Sequence, residues 1–204
     1  MTNNIKLQEV CKQLHIPVVG TTSWPLPIEA REILQESNPC PFTAADIDER
    51  LIGTTDFMPH SAIVCLFPYH VPHEGPTNLS RYTWATDYHL VVTDYLQRLV
   101  DELKTTAPDA SFSIHCDTSP LADRYMAYLA GLGFYGKNKC FINPTWGSYI
   151  VIGTVLTTLE FEPNTPMADT CMRCNRCITS CLGQCLNGNA FNYATCKSYL
   201  TQKK

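Results

Sequence analysis

Ser61-Ala-Ile-Val-Cys-Leu-Phe67 is an uncharged, almost wholly apolar run that stops at Pro68. Its length and its β-branched content mark it as a buried-type strand. Such a strand belongs inside a sheet flanked by helices, and the neighbouring sequence supplies the parts. Phe112-Ser-Ile-His-Cys116 reads as a second strand and runs into Asp117-Thr-Ser-Pro120. That tetrapeptide is a helix-start signal, with Ser or Thr as N-cap and Pro in the first turn, and predicts a helix from Pro120 to Ala130 that ends at Gly131. Between the two strands, Tyr69 to Arg81 is rich in Pro, His and Gly and predicts a loop. The strongest helical pattern follows, over Asp87 to Thr105, with Tyr88, Val91, Val92, Tyr95, Leu99 and Leu103 on one face.

Toward the N-terminus, Leu7, Val10, Cys11 and Leu14 fall at helical spacing and predict a helix over Asn4 to His15. Ile16 to Gly20 reads as a short strand. The Pro-rich passage around Trp24-Pro-Leu-Pro27, Asn38-Pro39 and Pro41 breaks regular structure, apart from a helix over Ile28 to Glu36. Toward the C-terminus, Gly131 to Lys139 is a Gly-rich turn. Cys140–Asn143 and Tyr149–Leu159 read as strands, with Trp146-Gly147-Ser148 as the bend between them. The fold class is α+β, α/β-like, with a mixed or antiparallel sheet and flanking helices. From Glu162 the pattern changes to Pro, Asn and clustered Cys, so the boundary is placed to give a domain over 1–162 and a small Cys-rich domain over 163–204.

Net charge is −4 over 204 residues, which argues against a surface that attracts nucleic acid as a whole. The first ten residues, MTNNIKLQEV, lack the apolar core of a signal peptide, and no apolar run reaches membrane-spanning length. With eleven cysteines and no secretory signal, the expectation is a reducing, cytoplasmic protein that touches no membrane.

The cysteines carry the strongest chemical signal. Cys171-Met-Arg-Cys174-Asn-Arg-Cys177-Ile-Thr-Ser-Cys181 has the spacing of a bacterial ferredoxin run, in which three thiolates converge on one cluster and the fourth reaches another. Cys185 and Cys196 follow, and Leu182 stands where that motif normally has proline. The alternative reading is a zinc site formed by Cys171-x-x-Cys174 and Cys181-x-x-x-Cys185, which would make an interaction module. Read without further context, Asp117 is a cap or turn residue and Tyr88 a core residue.

Several separate segments resemble the epoxyqueuosine reductase family, in order along the chain. They are Leu79-Ser-Arg-Tyr-Thr-Trp-Ala-Thr-Asp-Tyr-His89, Asp117-Thr-Ser-Pro-Leu-Ala-Asp-Arg124, Gly131-Leu-Gly-Phe-Tyr-Gly-Lys-Asn138 and Gly147-Ser-Tyr149. Glu160-Phe-Glu-Pro163, the cysteine run and Cys196-Lys-Ser-Tyr-Leu-Thr201 extend the likeness, and Arg50, Ser61–Val64 and Pro68-Tyr69 fit the N-terminal part. The resemblance implies a nitroreductase-like cobalamin domain joined to a ferredoxin-like tail. It also implies one or two 4Fe-4S clusters that pass electrons to cobalamin, bound base-off without a protein histidine, and removal of the epoxide oxygen of epoxyqueuosine in tRNA. Asp117 is the implied proton donor. Arg50, Tyr69, Tyr82, Tyr88, His89, Asp117, Arg124, Lys137, Asn138 and Ser148 are the implied cofactor-binding positions, and Cys171, Cys174, Cys177, Cys181, Cys185 and Cys196 the metal-binding ones. The family continues past this point with a further cysteine group and a helical tRNA-binding region. The resemblance therefore leaves three arrangements open: part of a longer protein, a shortened relative with one cluster, or ligands from another chain. tRNA and an electron donor are the implied partners. The rival is a non-catalytic corrinoid-binding or electron-transfer protein of the same descent.

Overall fold

The computed structural model describes residues 3–36, 40–43, 46–53, 55–72, 75, 78–168, 170–187 and 191–202. Asn38-Pro39 of the Pro-rich passage and part of the 69–81 loop lie outside the described residues.

Four strands form the main sheet: β1 (Val18–Ser23), β2 (Ser61–Pro68), β3 (Phe112–Cys116) and a longer strand, Ile150–Thr157. Two short strands, β4 (Phe134–Tyr135) and β5 (Phe141–Ile142), pair with each other in a small hairpin, so the long strand is β6. The sheet order is β1-β2-β6-β3 and every pairing is antiparallel. Of the two sheet types the sequence leaves open, the antiparallel one is found.

The apolar run that anchors the fold is buried along Ser61–Leu66, because both of its faces are covered. Ala62, Val64 and Leu66 point to one side, where α2 (Glu29–Glu36), α3 (Ile47–Ile52) and α5 (Asp123–Leu129) pack. Ile63 and Cys65 point to the other, against α1 (Asn3–Gln13) and α4 (Tyr88–Lys104). The result is a helix–sheet–helix sandwich, a mixed α and β architecture.

Three boundaries and one buried face differ from the expectation. The first strand begins at Val18 because the Ile16 amide donates to the Cys11 carbonyl at 2.8 Å and His15 turns at φ 58°, closing α1. In α4 the buried stripe is Val92, Leu96, Leu99, Val100 and Leu103; Val91 is exposed, and Tyr88 and Tyr95 lie at its half-buried edge. The fifth helix starts at Asp123, three residues late. Its N-cap is Ala122, with no side-chain cap, and the Ala122 amide is directed at the Arg50 carbonyl at 3.3 Å. The residues from Asp117 to Ala122 instead form a bent segment over the sheet end, so Ser and Thr there cap nothing. Finally, the strand expected over Cys140–Asn143 shrinks to Phe141–Ile142. It pairs with Phe134–Tyr135, and Gly133 is required there because a Cβ would stand 2.2 Å from the Ile142 carbonyl oxygen.

Beyond the sheet, Glu162 and Asn164 tie the chain back to β1. The Thr21 amide donates to Asn164 Oδ1 at 2.7 Å, and the Thr21 hydroxyl to the Glu162 carbonyl at 2.7 Å. The cysteine-rich stretch then holds two short helices, α6 (Arg176–Thr179) and α7 (Lys197–Gln202). Among the described residues no helix is long and apolar enough to cross a membrane.

Candidate active site

A large open cleft of about 1740 Å³ lies between the end of the sheet, the bent segment after β3, the β4–β5 hairpin and the cysteine-rich stretch. It exceeds the several hundred to roughly 1,000 Å³ of ordinary small-molecule sites. Among the residues proposed from sequence, Arg50, Tyr69, Tyr82, Tyr88, Asp117, Arg124, Lys137 and Asn138 line it, as do Cys171, Cys181, Cys185 and Cys196. His89, Ser148, Cys174 and Cys177 are not among the lining residues.

Asp117 sits where β3 ends, with φ 60°, and the Thr118 amide reaches back to the Cys116 carbonyl at 2.6 Å. Left-handed backbone is uncommon outside glycine and is tolerated best by Asn and Asp. The turn presents the Asp117 carboxylate to the start of α4. There Tyr88 Oη donates to Asp117 Oδ2 at 2.5 Å, and His89 Nε2 stands 3.4 Å from the same oxygen. Asp87 caps the helix: its Oδ1 accepts from the His89 amide at 2.9 Å and lies 2.8 Å from His89 Nδ1. The imidazole is thus bracketed by two carboxylates. The hydrogen bond to Asp87 first, and the Asp117 charge after it, raise its pKa. The Tyr88 hydroxyl is held well above its ordinary pKa by burial and then by its bond to Asp117, so it remains a donor.

Aromatic rings continue the wall. Tyr88 stacks on His89 with centroids 4.1 Å apart, Tyr82 meets Tyr88 edge-on at 6.0 Å, and Tyr69 meets Tyr82 edge-on at 6.4 Å. Tyr149 backs Tyr69 at 5.8 Å, and its carbonyl accepts from the Tyr69 amide at 3.0 Å.

The opposite side is basic. Arg124 donates to the Lys139 carbonyl at 2.8 Å, and Lys137 Nζ donates to Asn175 Oδ1 at 2.8 Å, joining the hairpin turn to the cysteine run. Asn138 Oδ1 accepts from the Cys140 amide at 3.1 Å and braces the turn. Burial, and then the nearby Arg124 charge, lower the Arg50 pKa.

Two titratable groups stand out among the lining residues that sequence reasoning missed. Asp123, at the first position of α5, is half-buried; burial and then the Asp117 charge push its carboxyl up to about 7. Cys140 lies on the hairpin side, its thiol raised by burial. Asp123 was visible in the sequence as a second acid six residues after Asp117, but nothing in one sequence says that two such acids line one cleft.

In the cysteine-rich stretch, Arg173, Asn175 and Gln184 all take left-handed backbone, at φ 52°, 59° and 48°. None of the eleven cysteines is in a disulfide. Cys181 Sγ and Cys185 Sγ lie 3.3 Å apart, and Gly183 lets their turn close on Thr195, whose carbonyl oxygen would be 1.9 Å from a Cβ there. Cys185 is buried and its thiol is pushed up to about 11 by that burial. Among the described residues no three His, Cys, Asp or Glu side chains gather around a single-ion site.

Comparison with known proteins places this geometry. The family model for epoxyqueuosine reductase QueG, DUF1730, matches residues 57–118. An epoxyqueuosine reductase of Listeria monocytogenes is 39% identical over 126 residues, covering 61% of this chain and 33% of that protein. One from Bacillus anthracis is 38% identical over 125 residues, with the same coverage. The chain's match spans about a third of the length of these curated relatives. Among solved structures, the Streptococcus thermophilus epoxyqueuosine reductase superposes with a TM-score of 0.86 at 28% identity, over 100% of this chain and 59% of that one. An epoxyqueuosine reductase bound to a tRNA-Tyr epoxyqueuosine-modified stem loop gives 0.86 at 29%, over 98% and 57%. A Bacillus subtilis epoxyqueuosine reductase, whose catalytic aspartate loop is swung out of the active site, gives 0.84 at 28%, over 98% and 57%. A catabolic reductive dehalogenase shares the fold at a TM-score of 0.57 and 12% identity. The chain is similar to epoxyqueuosine reductases in sequence over these stretches and in fold.

Proposed function

We propose that the cleft is the reductive site of an epoxyqueuosine-reductase-like enzyme, in which Asp117 delivers a proton to the substrate oxygen. The observation that carries this reading is the position of Asp117. It stands on a left-handed turn at the cleft wall, between the donors Tyr88 and His89, in a chain whose solved relatives include one holding an epoxyqueuosine-modified tRNA stem loop and one with its catalytic aspartate loop swung out of the active site.

The residues fit the implied groups. A cleft of about 1740 Å³ has room for a corrin, and its lining offers both tyrosine rings, packed edge to face, and hydrogen-bonding groups. The buried Ser119 hydroxyl, on the segment after Asp117, lacks a protein partner and is free to bond an amide arm. Cobalamin would be held by Tyr69, Tyr82 and Tyr88 against its face and by Arg50, Arg124, Lys137 and Asn138 at its periphery. His89 would act from behind this wall through Tyr88 and Asp117, whereas Ser148 is exposed and outside the lining. Cobalamin would supply a strongly reducing metal beside the substrate. The thiols of Cys171, Cys174, Cys177, Cys181, Cys185 and Cys196 suit iron–sulfur clusters in their number and spacing. A cubane spreads its cysteines over different irons, so these thiols need not crowd about one ion. In this reading residues 1–162 form the cobalamin domain, nitroreductase-like in architecture, and 163–204 a ferredoxin-like tail.

The protein's own part is proton delivery. Tyr88 donates to Asp117 and fixes its rotamer; His89, itself fixed by Asp87, adds positive charge beside the carboxylate once the proton has left. Arg50, Arg124 and the lysines of the hairpin favour an anionic substrate such as the phosphates of a tRNA anticodon.

The test is anaerobic incubation of the reconstituted chain with cobalamin, reduced viologen and an epoxyqueuosine-bearing tRNA stem loop. Mass spectrometry should show loss of one oxygen atom, and Asp117→Asn should abolish it. Full persistence of the epoxide, with cofactors bound, would refute the enzymatic reading and favour the corrinoid-binding alternative.

A further inference from the structure

A nucleotide whose base enters the cleft has to leave the stack of its own strand, and the neighbouring base then loses one stacked face. An aromatic surface at the cleft mouth compensates for that loss. The rim carries such a surface, built from residues that do not line the cleft itself.

We propose that the rim cluster of His70, Arg81 and Tyr149 seats the RNA nucleotide next to the one that enters the cleft, its base against the two rings and its phosphate on the guanidinium. The inference rests on the reading of the cleft as a site for a modified tRNA nucleotide. The cluster is fixed by a set of close contacts. His70 meets Tyr149 edge-on with centroids 4.8 Å apart. Arg81 Cζ lies 5.9 Å from the Tyr149 ring centroid and 5.6 Å from that of Trp84. Arg81 Nη1 donates to the Val71 carbonyl at 2.7 Å and stands 3.3 Å from His70 Nε2. A guanidinium can only donate, so His70 Nε2 is the acceptor and the imidazole is held in place. Both bonds leave from Nη1. Among the described residues Arg81 has no carboxylate partner, and its Nη2 edge meets no protein acceptor. A phosphate oxygen suits that edge.

The cluster is continuous with the cleft. Tyr69 lines the cleft and packs edge-on against Tyr149 at 5.8 Å. From Tyr69 the rings run through Tyr82 and Tyr88 to Asp117. A strand that enters at Asp117 therefore leaves along a row of rings toward Tyr149 and His70. These rings stay in contact with water: His70 is exposed, and Tyr149 is 40% exposed. A plain loop staple would need only the bond from Arg81 to the Val71 carbonyl. It gives no reason for two rings to remain in solvent beside a cation without a carboxylate. The net charge of −4 means that the chain does not hold RNA by its overall field, so the contacts have to be local.

The experiment follows binding of a fluorescently labelled, epoxyqueuosine-bearing stem loop to the full chain by anisotropy, over a series of salt concentrations. Tyr149→Leu and His70→Ala should each weaken binding about tenfold. The slope of log K against log salt should stay unchanged in both, because stacking releases no counterions. Tyr149→Phe should bind as the wild type does. Arg81→Gln should weaken binding and reduce the slope by about 0.7, the loss of one phosphate contact. An abasic residue on one side of the epoxyqueuosine nucleotide should weaken wild-type binding and erase the difference between wild type and Tyr149→Leu. Circular dichroism checks the fold, and the abasic stem loops on the wild type decide the question for any variant that unfolds. Unchanged binding of Tyr149→Leu and His70→Ala would overturn the proposal. So would unchanged wild-type binding of both abasic stem loops, or a wild-type chain that leaves the intact stem loop unbound. None of these readings requires turnover. A chain that binds through these residues and leaves the epoxide intact counts against the enzymatic reading alone; one that reduces the epoxide with unchanged KM in Tyr149→Leu counts against the rim seat alone.

Discussion

Tyr88 Oη donates to Asp117 Oδ2 at 2.5 Å, across the gap between the start of one helix and the end of a strand 29 residues away. Both groups are reachable from the cleft, so the bond orients the acid without burying it. Tyr88→Phe should keep the fold and lower turnover by roughly tenfold, the effect of one lost orienting hydrogen bond. Asp117→Asn should lower turnover by about 10²–10⁴-fold, as for loss of a general acid. Both comparisons are made by mass spectrometry of the stem loop, with circular dichroism as the check on folding.

His89 carries its own prediction. Asp87 is the main cause of its raised pKa, so proton NMR should place the His89 titration above the ordinary value of about 6.5. Asp87→Asn should bring it down further than Asp117→Asn does. The folded-state pKa lies above the unfolded one. The associated stabilisation is therefore complete below about pH 6.5 and disappears as pH rises through the folded value. A midpoint at or below 6.5 in the wild type would show that the carboxylate bracket does not form.

Asp123 gives a pH dependence of the same sign from a different cause, the burial of an acid rather than a carboxylate bracket. Its folded pKa, near 7, lies above the ordinary aspartate value of 3.8. Between those values the folded state binds more protons than the unfolded one, so stability falls as pH rises through that window. Asp123→Asn should flatten this slope and melt several degrees above the wild type at pH 8. Equal melting curves at pH 8 would show that the carboxyl is not held neutral.

The central strand offers a test of the sandwich. Leu66 is fully buried on the α5 side of β2. Leu66→Ala should lower stability by about 2–5 kcal/mol, seen as a lower urea midpoint at constant m. A loss below 1 kcal/mol would place Leu66 outside the core.

The cysteine run predicts metal content. After anaerobic reconstitution the chain should carry iron and acid-labile sulfide together, and Cys171→Ser, Cys174→Ser and Cys177→Ser should each reduce both. Zinc without sulfide would support the alternative Cys₄ reading of the same thiols.

Much of this was readable in the sequence. Ser61–Phe67 announced a strand covered on both faces, and the 3.6-residue period announced α4 to within a residue or two. The Asp-Thr-Ser-Pro segment was read as a helix start because cap chemistry is local. The fold overrode it by aiming the Ala122 amide at the Arg50 carbonyl, a contact between residues far apart in sequence. Arg124 and Lys137 were read as contacts for a ligand, and both line the cleft, but each already holds a protein oxygen. Asp123 was passed over for the same reason that α5 was misplaced: its environment is made by Asp117, Thr154 and Cys116, which three different segments bring together. Pairwise electrostatics of that sort leaves no periodic trace in a sequence.

The most direct measurement is electron paramagnetic resonance of cob(II)alamin titrated with the anaerobically reconstituted chain. The account predicts conversion of the free-cobalamin signal to a five-coordinate, base-off one that saturates at one cobalamin per chain. A free-cobalamin spectrum unchanged at excess protein would contradict it.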